Sequence, residues 1–189
     1  MVGLNVFIHE SSIVDSDSVG AGTRIWEFSH ILAGAVIGKS CNICAHCFIE
    51  NNVIIGDRVT IKNGVSIWDG IRIDNDVFIG PNATFTNDLF PRSEFKKEPG
   101  KLLSTELKEG CTIGANATVL GGISLGRYCF VAAAAVVTKD VPDFGLVVGN
   151  PGKVIGFVCK CAKRIKEDKT CECGRSYKLS DGILVQVVE

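Results

Sequence analysis

The chain has 189 residues, with 20 Lys and Arg against 21 Asp and Glu and a net charge of −1. That length suits one moderate domain with a core of its own, and the balanced charge offers no basic surface for nucleic acid or an anionic membrane. No apolar run approaches the roughly 20 residues of a bilayer span. The nine cysteines lack a preceding export signal, so they read as thiols or metal ligands in the cytoplasm.

From Phe7 an apolar residue returns at every sixth position: Ile13, Val19, Ile25, Ile31, Ile37, Ile43, Ile49, Ile55, Ile61, Ile67, Ile73, Ile79 and Phe85. A second column four places later is small or aliphatic, from Ala35, Cys41 and Cys47 through Val53, Val59 and Val65 to Ala83. A period of six matches neither the 3.6 of a helix nor the alternation of a flat strand. It predicts short strands joined by tight corners, three hexads to a triangular coil, in an all-β parallel β-helix. Each buried Ile or Val adds roughly 1.5–3 kcal/mol, so stacked coils form a core without helices. An ordinary β-sandwich would not hold this column in phase. Gly20, Gly38 and Gly56 recur at 18-residue intervals and should stack at one corner, which needs backbone room or a positive φ.

The phase is lost after Phe85 and regained at Ile113, Val119, Leu125, Val131 and Val137. A gap that is not a multiple of six requires residues 87–110 to leave the coil as an extruded loop, and a long excursion from a solenoid usually carries function. Stacking places Asn51, Asp69 and Asn87 in one outward column and Glu50, Trp68 and Thr86 in the next. Both climb to the point where the loop departs. Glu50, Trp68 and Asp69 are therefore candidate substrate contacts, although an outward column can also be simply solvated. The β-helix is expected over 1–157 and a separate tail over 158–189. In the tail, Cys159, Cys161, Cys171 and Cys173 form a C-x-C…C-x-C set that fits a structural zinc ion, with four free thiols as the alternative. Cys41, Cys47 and Cys129 fall on inward columns as small core residues. No cysteine stands with a histidine at nucleophile spacing, which argues against an acyl-cysteine intermediate.

The hexads, the excursion and the ending "VVTKDVPDFGLVVGNPGKVIG" resemble the left-handed β-helix acyltransferases. The stretch "FIENNVIIGDRVTIKNGVSIWDGIRIDNDVFIGPNATFTNDLFPRS" is similar to N-acetyltransferases of nucleotide-linked amino sugars, above all those acting on the 3-amino group of dTDP-3-amino-3,6-dideoxyhexoses. The tail segment "CECGRSYKLSDGI" is similar to relatives that acetylate a UDP-linked 2-acetamido-3-amino uronic acid. The resemblance implies a homotrimer with sites in the clefts between β-helices. Acetyl-CoA would lie beside the C-terminal coils, a nucleotide sugar would enter from the other side, and the role would be in bacterial surface polysaccharide synthesis.

In such enzymes the asparagine of the "TN" pair contacts the sugar amine, which points to Asn87. Asp88 is then placed to accept the proton or to hold the ammonium before attack, although "ND" also suits a turn. Amine acetylation draws mainly on positioning, worth roughly 7–11 kcal/mol, while a general base adds about 10²- to 10⁴-fold. His46 is the alternative base, or a structural residue at a coil corner; His30, in "WEFSH", is a candidate contact with an adjacent subunit, and His9 in the first coil is peripheral. The amides of Gly121 and Ala133 are candidates for the pantetheine arm, or serve tight packing. Asn150 and Lys153 in "GNPGK" fall where similar enzymes place the nucleotide end of CoA, and Arg92 suits the sugar-nucleotide diphosphate. Rival readings are a 4-amino-sugar N-acetyltransferase, a sugar O-acetyltransferase, a zinc-dependent carbonic-anhydrase-like hydratase and a non-catalytic β-helix scaffold.

Overall fold

The computed structural model describes residues 3–95, 97, 101–180 and 183–187. From Ser18–Val19 to Thr84–Phe85, two-residue strands recur at six-residue intervals, except that Ile71–Ile73 runs to three. In each, the last residue is buried and the one before it is turned outward. The inward residues stack rung on rung in parallel register. Face one carries Ile25, Ile43, Ile61, Ile79, Ile113, Val131 and Val147. Face two carries Ile31, Ile49 and Ile67, then Phe85, Val119 and Val137. Face three carries Val19, Ile37, Ile55, Ile73, Leu107, Leu125 and Val141. The smaller second column, including Ala35, Cys41, Val53, Val65 and Ala83, fills the corners of the same core. This is a left-handed parallel β-helix. No helix of the described residues is long and apolar enough to cross a membrane.

The corners explain the residue pattern. A Cβ on Gly56 would come within 2.6 Å of Asn75 Oδ1 and 2.8 Å of its backbone N, and Gly20 and Gly38 stack beneath at the same corner with equally close neighbours. These glycines provide room, and their φ is not positive. The left-handed backbone falls instead three places after many inward residues, at Phe28, Ser40, His46, Arg58, Asp76, Asn82, Asn116, Tyr128 and Ala134, with φ of 54–60°. Stacking and close corner geometry hold these non-glycine residues in a sparsely populated region.

Two sequence expectations need correction. Phe7 and Ile13 do not lie on the inward column; they are 42% and 56% exposed. Ile8 pairs with Ile25 and Val14 with Ile31, so the first coil is one residue short and the phase slips between Val14 and Val19. This coil has no rung below it, so an inward aliphatic there gains little burial, and Phe7 packs outside against Trp26 with centroids 5.3 Å apart. The excursion is also narrower than 87–110. The Leu103 N–H returns to Asn87 O at 2.9 Å, and Thr105–Leu107 pairs with Ile71–Ile73. Leu107 is fully buried and stands one hexad before Ile113, hidden in the charged run "TELKEG". Within the excursion, residues 96 and 98–100 lie outside the described set.

At the C-terminal end, Gly145–Val148 adds to face one and pairs antiparallel with Lys153–Phe157. A second small core follows, made of Phe144, Cys159, Ile165, Cys171, Tyr177 and Leu184, with the hairpin Ser176–Ser180/Ile183–Val187. It is joined to the solenoid by Phe144, which stacks on Tyr128 at 5.6 Å and meets Tyr177 edge-on at 5.4 Å.

Candidate acceptor site at the loop corner

Between faces two and three the chain turns at residues 32–35, 50–53, 68–71 and then 86–105, which includes the excursion. The predicted column residues are brought together here across three coils. The Asp69 N–H donates to Glu50 Oε2 (2.6 Å), and the Asn52 N–H donates to Asp69 Oδ1 (2.6 Å). Asn87 Nδ2 donates to Asp69 O (3.2 Å). Trp68 Nε1 donates to Phe85 O (2.9 Å), and its ring lies 5.8 Å from Phe48. Glu50 and Asp69 thus hold corner amides of adjacent coils, a role that fixes the column and leaves Asn87, half-buried at its top, as the side chain that faces the departing loop. Among the described residues no donor engages Asn87 Oδ1, while its Nδ2 donates to Asp69 O.

Asp88 follows at once. Its Oδ1 accepts the Phe90 N–H at 2.8 Å and is paired with the Lys97 ammonium. Lys97 first, and the Phe90 amide second, hold this carboxyl below the usual carboxylate range. It is therefore a charged partner for an ammonium and a weak base, because hydrogen bonds and a neighbouring cation favour its ionised form. Leu89, Phe90 and Phe95 are exposed on the same excursion. Arg92 is exposed there as well, with its carbonyl accepting the Phe95 N–H at 3.2 Å.

Several contacts of this corner, and the residues Arg72, Ser104 and Thr105, escaped the sequence reading. Thr86 Oγ1 accepts the Gly121 N–H (3.0 Å), buried Thr105 accepts the Gly122 N–H through Oγ1 (3.1 Å), and Ser104 Oγ donates to Gly70 O (2.7 Å). Arg72 donates to Asn52 O and Oδ1, both at 2.6 Å. Counting six back from Ile113 to Leu107 would have placed Ser104 and Thr105 at the corner. Gly121 lies at the same corner. Its amide is engaged by Thr86, and a Cβ would lie 2.8 Å from Thr86 O and 3.0 Å from Asn87 Cα, so this buried glycine seats the next coil against the acceptor column.

The other predicted cofactor residues lie elsewhere. Ala133 is exposed at the corner between faces one and two. The turn bearing Asn150 sits on that corner: Val136 N–H donates to Gly149 O (3.0 Å) and Gly152 N–H to Val136 O (2.7 Å). Lys153 follows, exposed on its strand. Ala133, Asn150 and Lys153 therefore cluster on one edge of face two, and the Asn87 column lies on the other edge. His46 occupies the corner between faces one and two, not the loop corner. It has φ 60°, its ring stacks on Phe28 at 5.1 Å, and its N–H donates to Glu27 O (2.9 Å). A cleft of about 510 Å³ lined by Gly156, Phe157, Arg164 and Lys166 belongs to the tail. The four tail cysteines do converge, with all Sγ atoms within 4.8 Å of one another.

The bacterial transferase hexapeptide (six repeats) family matches residues 52–87 and 104–139, and the hexapeptide repeat of succinyl-transferase matches 34–68. The interruption between the first two blocks coincides with the excursion. The chain belongs to the hexapeptide-repeat, left-handed β-helix acyltransferases. Within that class it is 48% identical over 185 residues to the dTDP-3-amino-3,6-dideoxy-alpha-D-galactopyranose 3-N-acetyltransferase of Aneurinibacillus thermoaerophilus, covering 96% of this chain and 95% of that protein. Among solved structures, the fold matches a UDP-N-acetylglucosamine acyltransferase from Campylobacter jejuni, with TM-score 0.64, 17% identity, and 83% of this chain and 70% of that one covered. It also matches an N-acyltransferase from Bacillus cereus solved with dTDP and 3-hydroxybutyryl-CoA, with TM-score 0.55, 19% identity, and 82% and 81% covered.

Proposed function

We propose that the protein transfers the acetyl group of acetyl-CoA to the C3 amine of a dTDP-3-amino-3,6-dideoxyhexose. The observation that carries this reading is the end-to-end likeness, at 48% identity, to an enzyme named for that reaction. The loop corner supports it, because an amide acceptor and an ionised carboxylate stand side by side where the solenoid opens.

The chemistry needs little from the chain. The neutral amine attacks the thioester carbon, the C–N bond forms, the C–S bond breaks and the electron pair leaves with the CoA sulfur. One amine proton departs and is balanced by protonation of the CoA thiolate to the thiol. Asn87 orients the amine through its Oδ1, and Asp88 holds the charged form until the proton is lost. With its carboxyl kept low by Lys97 and the Phe90 amide, Asp88 favours electrostatic placement over proton abstraction. Positioning then supplies most of the acceleration, and His46 is not required. Ala133, Asn150 and Lys153 would receive CoA on the far edge of face two.

Within one chain the two sets flank a face and do not meet. A homotrimer, with the loop corner of one protomer closing on the cofactor corner of its neighbour, brings them together. A cytoplasmic location, with its acetyl-CoA and nucleotide-sugar pools, and a role in surface polysaccharide synthesis complete the proposal.

The test is release of free CoA with dTDP-3-amino, dTDP-4-amino and UDP-3-amino sugars offered in parallel. The dTDP-3-amino sugar is expected to show the largest kcat/KM, by about tenfold or more over the 4-amino isomer, since misplacement of the nucleophile by an ångström can lose that much and more. Preference for the UDP-3-amino uronic acid, or no turnover with any of them, would overturn it.

A further inference from the structure

The terminal segment is too small to be held by its own core. Its six buried residues, Phe144, Cys159, Ile165, Cys171, Tyr177 and Leu184, form a cluster that a chain of this length cannot normally fold on alone. Four of its cysteines nevertheless point at one spot. Cys159 Sγ and Cys173 Sγ are 3.4 Å apart, Cys161 Sγ and Cys171 Sγ are 3.5 Å apart, and all four lie within 4.8 Å. A disulfide needs about 2.05 Å. Thiolates about 2.3 Å from a tetrahedral metal stand about 3.8 Å from one another, within the range seen here.

The backbone explains this convergence, because one turn is built twice. In the first, Cys159 N–H donates to Lys163 O (2.8 Å), Ala162 N–H donates to Cys159 O (2.8 Å), and Ala162 takes φ 66°. In the second, Cys171 N–H donates to Arg175 O (2.9 Å), Gly174 N–H donates to Cys171 O (2.9 Å), and Gly174 takes φ 87°. Isolated bridges close both turns, Val158 with Arg164 and Thr170 with Ser176. Each turn presents its first and third residues, both cysteines, toward the other turn. Donors then surround the sulfurs: Tyr177 Oη donates to Cys159 Sγ (3.0 Å) and Arg175 to Cys173 Sγ (3.2 Å). Lys160, Lys163, Arg164, Lys166 and Lys169 crowd the same segment and offset the negative charge that four thiolates leave after binding a divalent ion.

We propose that Cys159, Cys161, Cys171 and Cys173 form a closed tetrathiolate site for one zinc ion, which pins the terminal hairpin against Tyr128 and Phe144 on the outside of the last coils. Four protein ligands leave no open position, which marks a structural site and not a catalytic one. The donors to Cys159 and Cys173 orient the ligands as outer partners do in such sites. The site stands on the corner between faces three and one, apart from both sets of residues assigned to acetyl transfer, so the inference does not depend on the substrate.

The experiment uses the full chain purified without a metal-binding tag from zinc-supplemented medium. Elemental analysis is expected to give about one zinc per chain, and cobalt exchange to give the thiolate-to-metal and visible bands of a tetrahedral tetrathiolate. Cys161→Ser and Cys173→Ser, at the two exposed ligands, should each lose the metal, while Cys44→Ser should keep it. In the unsubstituted protein, chelation should speed tryptic cleavage between Lys160 and Lys169 on the order of tenfold or more, leaving the solenoid fragment intact. Zinc-free protein with unchanged tryptic resistance would overturn the proposal. So would an intact mass showing that the four thiols have formed two disulfides.

Discussion

The three corners of this β-helix share one period and differ in what that period leaves exposed. At the corner between faces three and one, Gly20, Gly38 and Gly56 stack so closely that only backbone fits, and at its upper end the same corner carries an aromatic stack and the tail. At the corner between faces two and three, the position after the inward residue carries Glu50, Trp68 and Thr86 in place of glycine, and Glu50, Asp69 and Asn87 clasp backbone amides and carbonyls of neighbouring coils. The 18-residue repeat is indifferent to the outward side chain, because burial and register come from the inward one. Function can therefore be written on one corner without disturbing the ladder, which is why an excursion as long as 88–102 interrupts the chain without breaking the stack.

Substitutions can break this division, and the largest effect should fall on the ladder. Ile61→Ala removes a fully buried side chain stacked between Ile43 and Ile79. It should cost about 2–5 kcal/mol, read as a fall in the denaturant midpoint of the whole solenoid, with kcat little changed in the molecules that remain folded. A smaller effect of opposite character is expected for Gly121→Ala. Its Cβ would press on Thr86 O, so the corner must shift by some tenths of an ångström. KM for the nucleotide sugar should rise or kcat fall by about tenfold, while stability, followed by thermal melting, changes by less than in Ile61→Ala. Asp88→Asn keeps the shape and removes the charge. It should lower kcat/KM less than loss of Asn87 does, and the acid limb of the pH profile should stay in place, because Asp88 is already ionised there and the substrate amine sets that limb.

Lys97→Met sharpens the electrostatic part of the comparison. The folded carboxyl of Asp88 is held below its unfolded value, so the pairing stabilises the native state above the usual carboxylate range and is lost as pH falls through the folded value. Without the Lys97 ammonium, the Asp88 carboxyl should titrate at higher pH, observable by NMR. The smallest effect is expected for His46→Gln, which should leave kcat/KM within about threefold, far below the 10²- to 10⁴-fold contribution of a general base. A hundredfold loss there would return the role of base to His46 and favour hydroxyl over amine acetylation.

Most of the fold was legible because the inward column obeys one rule, a large branched residue every sixth place, and the sequence states it plainly from Val19 to Phe85. Legibility failed where that rule relaxes. In the first coil, with no rung beneath it, Phe7 and Ile13 continue the period but lie outside. At the re-entry, Leu107 keeps the period but is masked by charged neighbours. The two outward columns were visible, with Trp68 above Glu50 and Asn87 above Asp69 at intervals of 18, since stacking converts sequence spacing into height. Hydrogen-bond direction was not visible. Nothing in the spacing says that Glu50 would hold the Asp69 amide, or that Thr86 would engage the Gly121 amide. Those depend on which side chain reaches across a coil, a matter of rotamers and not of period. In the tail, the paired spacing of the cysteines was readable, while the repeated turn that makes them converge was not.

The central claim is that the loop corner, through Asn87, places the acceptor amine. It is tested most directly by kcat/KM for the dTDP-3-amino sugar in wild type and Asn87→Ala, with melting temperature and oligomeric state measured on both. The predicted result is a loss of about 10²-fold or more in a protein that melts and assembles like wild type. An Asn87→Ala enzyme that keeps full kcat/KM, with the same substrate preference, would contradict it.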